Sequence, residues 1–77
     1  MEYVYCIYIE NNKRKYLYDI GEDKIDIERT AKIMTATDPV FRYHTCMIPY
    51  NHYLRMVQLA RADRITVSSL IESYLNE

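Results

Sequence analysis

Residues 42–75 read RYHTCMIPYNHYLRMVQLARADRITVSSLIESYL, and the rest of the chain is organised around them. Residues 43–48 predict a short strand, which Pro49 closes because proline has no amide to give to a sheet ladder. Tyr53, Met56, Val57, Leu59 and Ala60 then recur at spacings of three and four, so they share one helical face, with Arg55, Gln58 and Arg61 on the other. After a break, Thr66 stands before a second apolar run of Val67, Leu70, Ile71, Tyr74 and Leu75, where its hydroxyl can accept from a first-turn amide. The predicted order is strand, helix, tight turn, helix.

Upstream, residues 2–10 and 13–20 are two β-prone runs joined by Asn11-Asn12, a pair that tolerates the positive φ angles of a two-residue hairpin turn. That loop pairs Glu10 with Lys13, Tyr8 with Lys15, Ile7 with Tyr16, Cys6 with Leu17, Tyr5 with Tyr18 and Tyr3 with Ile20. One face of the ribbon then carries Tyr3, Tyr5, Ile7, Ile9, Tyr16, Tyr18 and Ile20 and is expected to be buried. The other mixes Val4, Cys6, Tyr8 and Leu17 with charged residues, which suits a surface that is partly wet or joined by another strand.

Gly21 ends the ribbon, and Glu22, Asp23 and Asp26 precede an amphipathic run, as suits the positive end of a helix. The helix is predicted over residues 26–35, with Ile27, Thr30, Ala31, Ile33 and Met34 as its apolar stripe. Asp38-Pro39 stops it, because the residue before proline is pushed out of helical angles. The fold class is α+β, with a β-hairpin plus helix (a ββα unit, residues 1–38) followed by a strand-helix-helix unit (residues 42–77). The connection between them is too short and too apolar for a free linker, so the two are expected to pack as one small domain.

A chain of 77 residues buries only about 60% of the surface its unfolded form exposes, and oligomerisation is a usual remedy. With 49% hydrophobic and 27% charged residues the composition is globular, and the net charge of −1 does not announce a nucleic-acid partner. Cys6 and Cys46 have no metal or redox spacing, and no long apolar run marks a membrane segment; a cytoplasmic setting with reduced thiols is expected.

Few residues promise chemistry. His44, Cys46 and His52 carry side chains that zinc can take as ligands, but their spacing matches no zinc framework and a fourth ligand is missing. No acid–base pair or nucleophile motif points to an enzyme, and no cofactor is implied. The tyrosine stripe, interleaved with Lys13, Arg14 and Lys15, has the composition of a base-stacking platform, yet burial under a helix explains it more simply. The basic run at the hairpin tip is read as a solvated charge cluster, with a phosphate or a protein partner as the alternative.

Ile48-Pro49 at the strand end, Met56, Leu59 and Ala60 in the first helix, and the run Thr66, Val67, Ser68, Ser69, Leu70, Ile71 opening the second resemble the ribbon-helix-helix (MetJ/Arc type) family. The resemblance covers less than half the chain. It departs at the turn, where the family places glycine and this chain has Arg64, and at His52, where an aliphatic residue is usual. It implies a homodimer whose paired strands enter the DNA major groove. Tyr43, Thr45 and Met47 would then read bases, while Thr66, Val67 and Ser68 would meet a phosphate, with Arg42 and Arg64 adding charge. The implied function is a dimeric DNA-binding transcription regulator of plasmid, phage or antitoxin type. The alternative is a small protein-interaction factor or inhibitor from a mobile element that keeps the unit for dimerisation, with the N-terminal hairpin as a further partner surface.

Overall fold

The structure, a computed structural model, describes residues 1–77. Its elements run β1 (Tyr3–Asn11), β2 (Arg14–Gly21), α1 (Lys24–Thr37), β3 (His44–Pro49), α2 (Tyr50–Asp63) and α3 (Val67–Leu75). This is the expected hairpin, helix, strand and helix pair. The strands form one antiparallel sheet in the order β2-β1-β3. Both faces are covered. On one, Cys6 and Ile48 meet Met56 and Ile71 from α2 and α3; on the other, Ile7 meets Ile27 and Ala31 from α1.

The hairpin register differs from the expected one. Asn12 and Lys13, at φ 52° and 64°, form the turn, so Asn11 pairs with Arg14, Glu10 with Lys15 and Tyr8 with Leu17. A bulge next to the Ile7/Tyr8 step then sets Ile7 opposite Asp19 and Cys6 opposite Ile20, while Tyr5 lies opposite Gly21 rather than Tyr18. A bulge inserts one residue and reverses the faces beyond it. Leu17 and Ile20, three apart, both reach the core around Cys6 and Ile48, which strict alternation forbids. The expected tyrosine face is accordingly only partly buried, with Tyr3, Tyr16 and Tyr18 exposed.

Helix ends follow local chemistry. Asp23 accepts from the amides of Ile25 (3.0 Å) and Asp26 (3.3 Å) and starts α1 two residues earlier than predicted. Thr66 caps α3 by accepting from the Ser69 amide at 3.1 Å. Arg64 takes the left-handed conformation that the turn demands, φ 55° and ψ 41°, and the Ile65 amide closes the turn onto the Ala60 carbonyl at 3.0 Å. A side chain there costs about 1–2 kcal/mol against glycine. Two residues of the predicted stripes lie outside the core: Ile33 of α1 and Leu59 of α2 are exposed. α1 and α2 rest on the sheet through narrower stripes than their apolar periodicity offered, whereas α3 packs with its whole run of Val67, Leu70, Ile71, Tyr74 and Leu75.

β3 has its strand partner inside the chain, with Val4 opposite Ile48 and Cys6 opposite Cys46. In the expected dimer a second copy fills that place; here β1 does. The strand therefore does not by itself require a second chain.

Candidate functional site

The sheet has two outer edges, and the chain treats them differently. Along β2, side chains from α3 and from the residue that caps its C-terminus take up the outward backbone groups. Asn76 accepts from the Lys15 amide at 2.7 Å and donates to the Lys15 carbonyl at 2.9 Å, and Glu72 accepts from the Leu17 amide at 2.9 Å. These contacts substitute for a neighbouring strand.

β3 is different. The Tyr50 amide donates to the Glu2 carbonyl at 2.9 Å, continuing the ladder with β1. Hydrogen-bonded and non-bonded pairs alternate in an antiparallel ladder, so Ile48, Cys46 and His44 turn their backbone groups towards β1. Thr45 and Met47 turn theirs outward. Just before the strand, Thr35 clasps Tyr43, accepting from its amide at 2.9 Å and donating to its carbonyl at 3.4 Å. Pro49 at the far end has no amide to offer. What stays open is the short stretch at Thr45 and Met47.

Beside that stretch runs a groove of about 700 Å³ between α1 and the chain entering β3. Its floor includes Ala31, Tyr43 and Thr45, and its rim carries Arg29, Lys32 and Arg42. A smaller recess of about 270 Å³ continues past Thr45 to Met47 and Lys24. Together these walls hold four cations, Lys24, Arg29, Lys32 and Arg42, against one carboxylate, Glu28, on a chain of net charge −1. The chain's two ion pairs, both exposed, occupy Lys24 with Glu28 (3.9 Å) and Arg29 with Asp26 (3.5 Å). Lys32 and Arg42 are without an ionic partner.

The residues expected to read bases are therefore in unlike settings. Tyr43 is half-buried, packs edge-on against Tyr18 with ring centroids 5.0 Å apart, and donates its hydroxyl to Asp38 at 2.6 Å. That bond, with the amides of Val40 and Phe41, holds the Asp38 carboxyl below its usual range. The same carboxylate pushes the Tyr43 hydroxyl up to about 12. Thr45 and Met47 are exposed beside α1, which packs on their face of the sheet. Of the phosphate set, Arg42 stands at the groove mouth, whereas Arg64, Thr66, Val67 and Ser68 belong to the turn and helix on the opposite face. The structure does not gather the two sets into one surface.

The other candidates have structural occupations. His44 stacks on Tyr8 at 5.3 Å, His52 leans on Tyr74 at 4.9 Å, and no cluster of three or more metal-ligating side chains forms. Cys46 faces Cys6 across the strands; the Cys6 thiol and the Lys15 ammonium favour its thiolate, while the proton shared towards Cys46 and burial push Cys6 up. At the hairpin tip Arg14 lies over Tyr16 at 5.7 Å and Lys15 over Tyr8 at 5.3 Å, so two of the three basic residues are engaged with rings of the same sheet.

Sequence reading missed Thr35, Lys32 and Arg29. Their only signal is a polar stripe on α1, which ordinarily means a solvated helix face. It also missed Glu72 and Asn76, whose partners lie 55 and 61 residues away. No family model, curated protein or solved structure matches this chain.

Proposed function

We propose that this chain is a small protein-interaction factor, of the kind that acts as an accessory factor or inhibitor, and that its working surface is the β3 edge with the adjoining groove. One observation carries the reading: α1 sits on the sheet face that the ribbon-helix-helix resemblance gives to DNA, with Tyr43 tied down, while the edge at Thr45 and Met47 stays open. A sheet edge beside an apolar groove is a recurring way to hold an extended segment, because main-chain bonds supply affinity and alternate side chains supply specificity. The two free thiols support a reducing, cytoplasmic setting. No helix of the chain is long and apolar enough to cross a membrane.

A second reading, the dimeric DNA-binding regulator, is favoured by Lys32 and Arg42, which line the groove without ionic partners. One experiment separates the two. The immobilised protein is offered a displayed library of random peptides and, separately, a pool of random DNA duplexes. Enriched peptides that lose binding to a Thr45→Pro variant, which folds by circular dichroism, support the first reading. A DNA motif whose affinity falls linearly with salt on a log-log plot, with no peptide enriched, overturns it.

A further inference from the structure

We infer that the β3 edge takes an acidic extended segment as a fourth strand, the carboxylates meeting Lys32 and Arg42 on the groove rim. The inference rests on the interaction reading and adds the chemistry of the partner.

Three features lead to it. First, the outward backbone groups of Thr45 and Met47 supply donors and acceptors spaced for a strand, and the neighbours on either side are already closed by Thr35 and Pro49. The docked segment is thus short, and the closed flanks also discourage open-ended stacking of sheets. Second, charge is separated on the surface. The groove and recess carry four cations and one carboxylate although the whole chain is slightly acidic. Two of those cations are free to pair, and an incoming carboxylate displaces no existing ion pair at Lys32 or Arg42. Third, the groove of about 700 Å³ lies on the α1 side of the edge, with Thr45 and Tyr43 in its lining, so every second side chain of an added strand turns towards it. Strand side chains alternate, so a segment alternating acidic and apolar residues presents only one of these types to the groove. In the register that matches the rim, carboxylates face Lys32 and Arg42, and the apolar residues lie over the opposite side of the edge. A duplex offers neither strand-like donors and acceptors nor a width that enters between a helix and a strand.

The test uses the intact chain, labelled with 15N, and three probes. Two are blocked peptides of about eight residues, one alternating glutamate and valine and the other alternating lysine and valine. The third is a mixed-sequence DNA duplex. The glutamate peptide is expected to slow hydrogen exchange at the Thr45 and Met47 amides and to bind more weakly as salt rises. A Lys32→Glu/Arg42→Glu variant, with both changes at exposed positions and its fold checked by circular dichroism, is expected to lose affinity about tenfold or more. Equal binding of both peptides at this edge overturns the acidic preference and leaves the interaction reading standing. Binding of the duplex at Lys32 and Arg42, with neither peptide protecting the two amides, overturns both. Protection of the same amides without any probe, rising with protein concentration, assigns the edge to a second copy of this chain and overturns the acidic segment. Failure of all three probes to bind also overturns it.

Discussion

The two edges of the sheet solve one problem in opposite ways. At β2 the outward amides of Lys15 and Leu17 are taken up by Asn76, which caps the last helix, and by Glu72 within it. At β3 only Tyr43 is clasped, by Thr35, and the next two outward residues are left open beside a groove with a basic rim. The same short helix pair that closes the first edge also buries the inner face of β3 through Ile48. An edge strand can thus be a full member of the core on one face and unpaired along its side. The difference separates the edges physically: β3 is held by the core and keeps open backbone groups at Thr45 and Met47, whereas the β2 edge is already satisfied.

The largest test of this contrast is the anchoring of β3 itself. Ile48 is fully buried among Cys6, Met56 and Ile71, so Ile48→Ala is expected to cost about 3–4 kcal/mol in urea unfolding. Because β3 pairs with β1 of its own chain, the unfolding midpoint of the native protein is expected to be independent of protein concentration. A midpoint that rises steeply with concentration means that β3 is held by a second copy instead.

Opening the protected edge comes next in size. Asn76→Ala removes an acceptor from the Lys15 amide and a donor from its carbonyl, at an expected cost of about 1–2 kcal/mol. Exchange at the Lys15 amide should accelerate as well. Unchanged exchange there shows that the clamp does not protect the edge.

A smaller effect is expected from Thr35→Val, which keeps the shape and deletes the hydroxyl that holds Tyr43. About 1 kcal/mol is lost, and the open stretch lengthens from Thr45 and Met47 to include Tyr43. If the closed flank limits docking, longer extended peptides then bind this variant better than the native chain.

The smallest effect is a pH signature at the same end of β3. Asp38 is shifted down from 3.8, so its share of stability is present above that value and is lost as pH falls through the folded value. Tyr43 is shifted up from 10.0 to about 12, so its share is intact below pH 10 and is lost as pH rises towards 12. Stability curves of the native chain and Tyr43→Phe should converge at both extremes. Parallel curves at all pH values place no coupling between the two groups.

Much of the local structure was legible. Thr66 caps its helix because its short side chain reaches an amide three residues on, and the Asp38-Pro39 stop needs nothing beyond proline sterics. The turn at Arg64 was placed correctly even though its left-handed backbone strains an arginine. The candidate site was much less legible. Tyr43, Thr45 and Met47 were singled out for reading DNA by resemblance alone, whereas Thr35, Lys32 and Arg29, which shape the groove, gave no sign beyond being polar on a helix.

By itself, the sequence determined which segments are helix or strand and how the elements follow one another, because propensity, capping and proline act within a few residues, while the ends of α1, β3 and the hairpin strands lie one or two residues from their expected places. Tertiary structure decided the rest. The hairpin register moved because a bulge lets Leu17 and Ile20 reach the same core, a gain available only once α2 and α3 are in place. β3 joined β1, α1 settled on the face beside Thr45 and Met47, and Glu72 and Asn76 closed the β2 edge. Each of these depends on packing between residues far apart in the chain, for which neither periodicity nor spacing carries a signal.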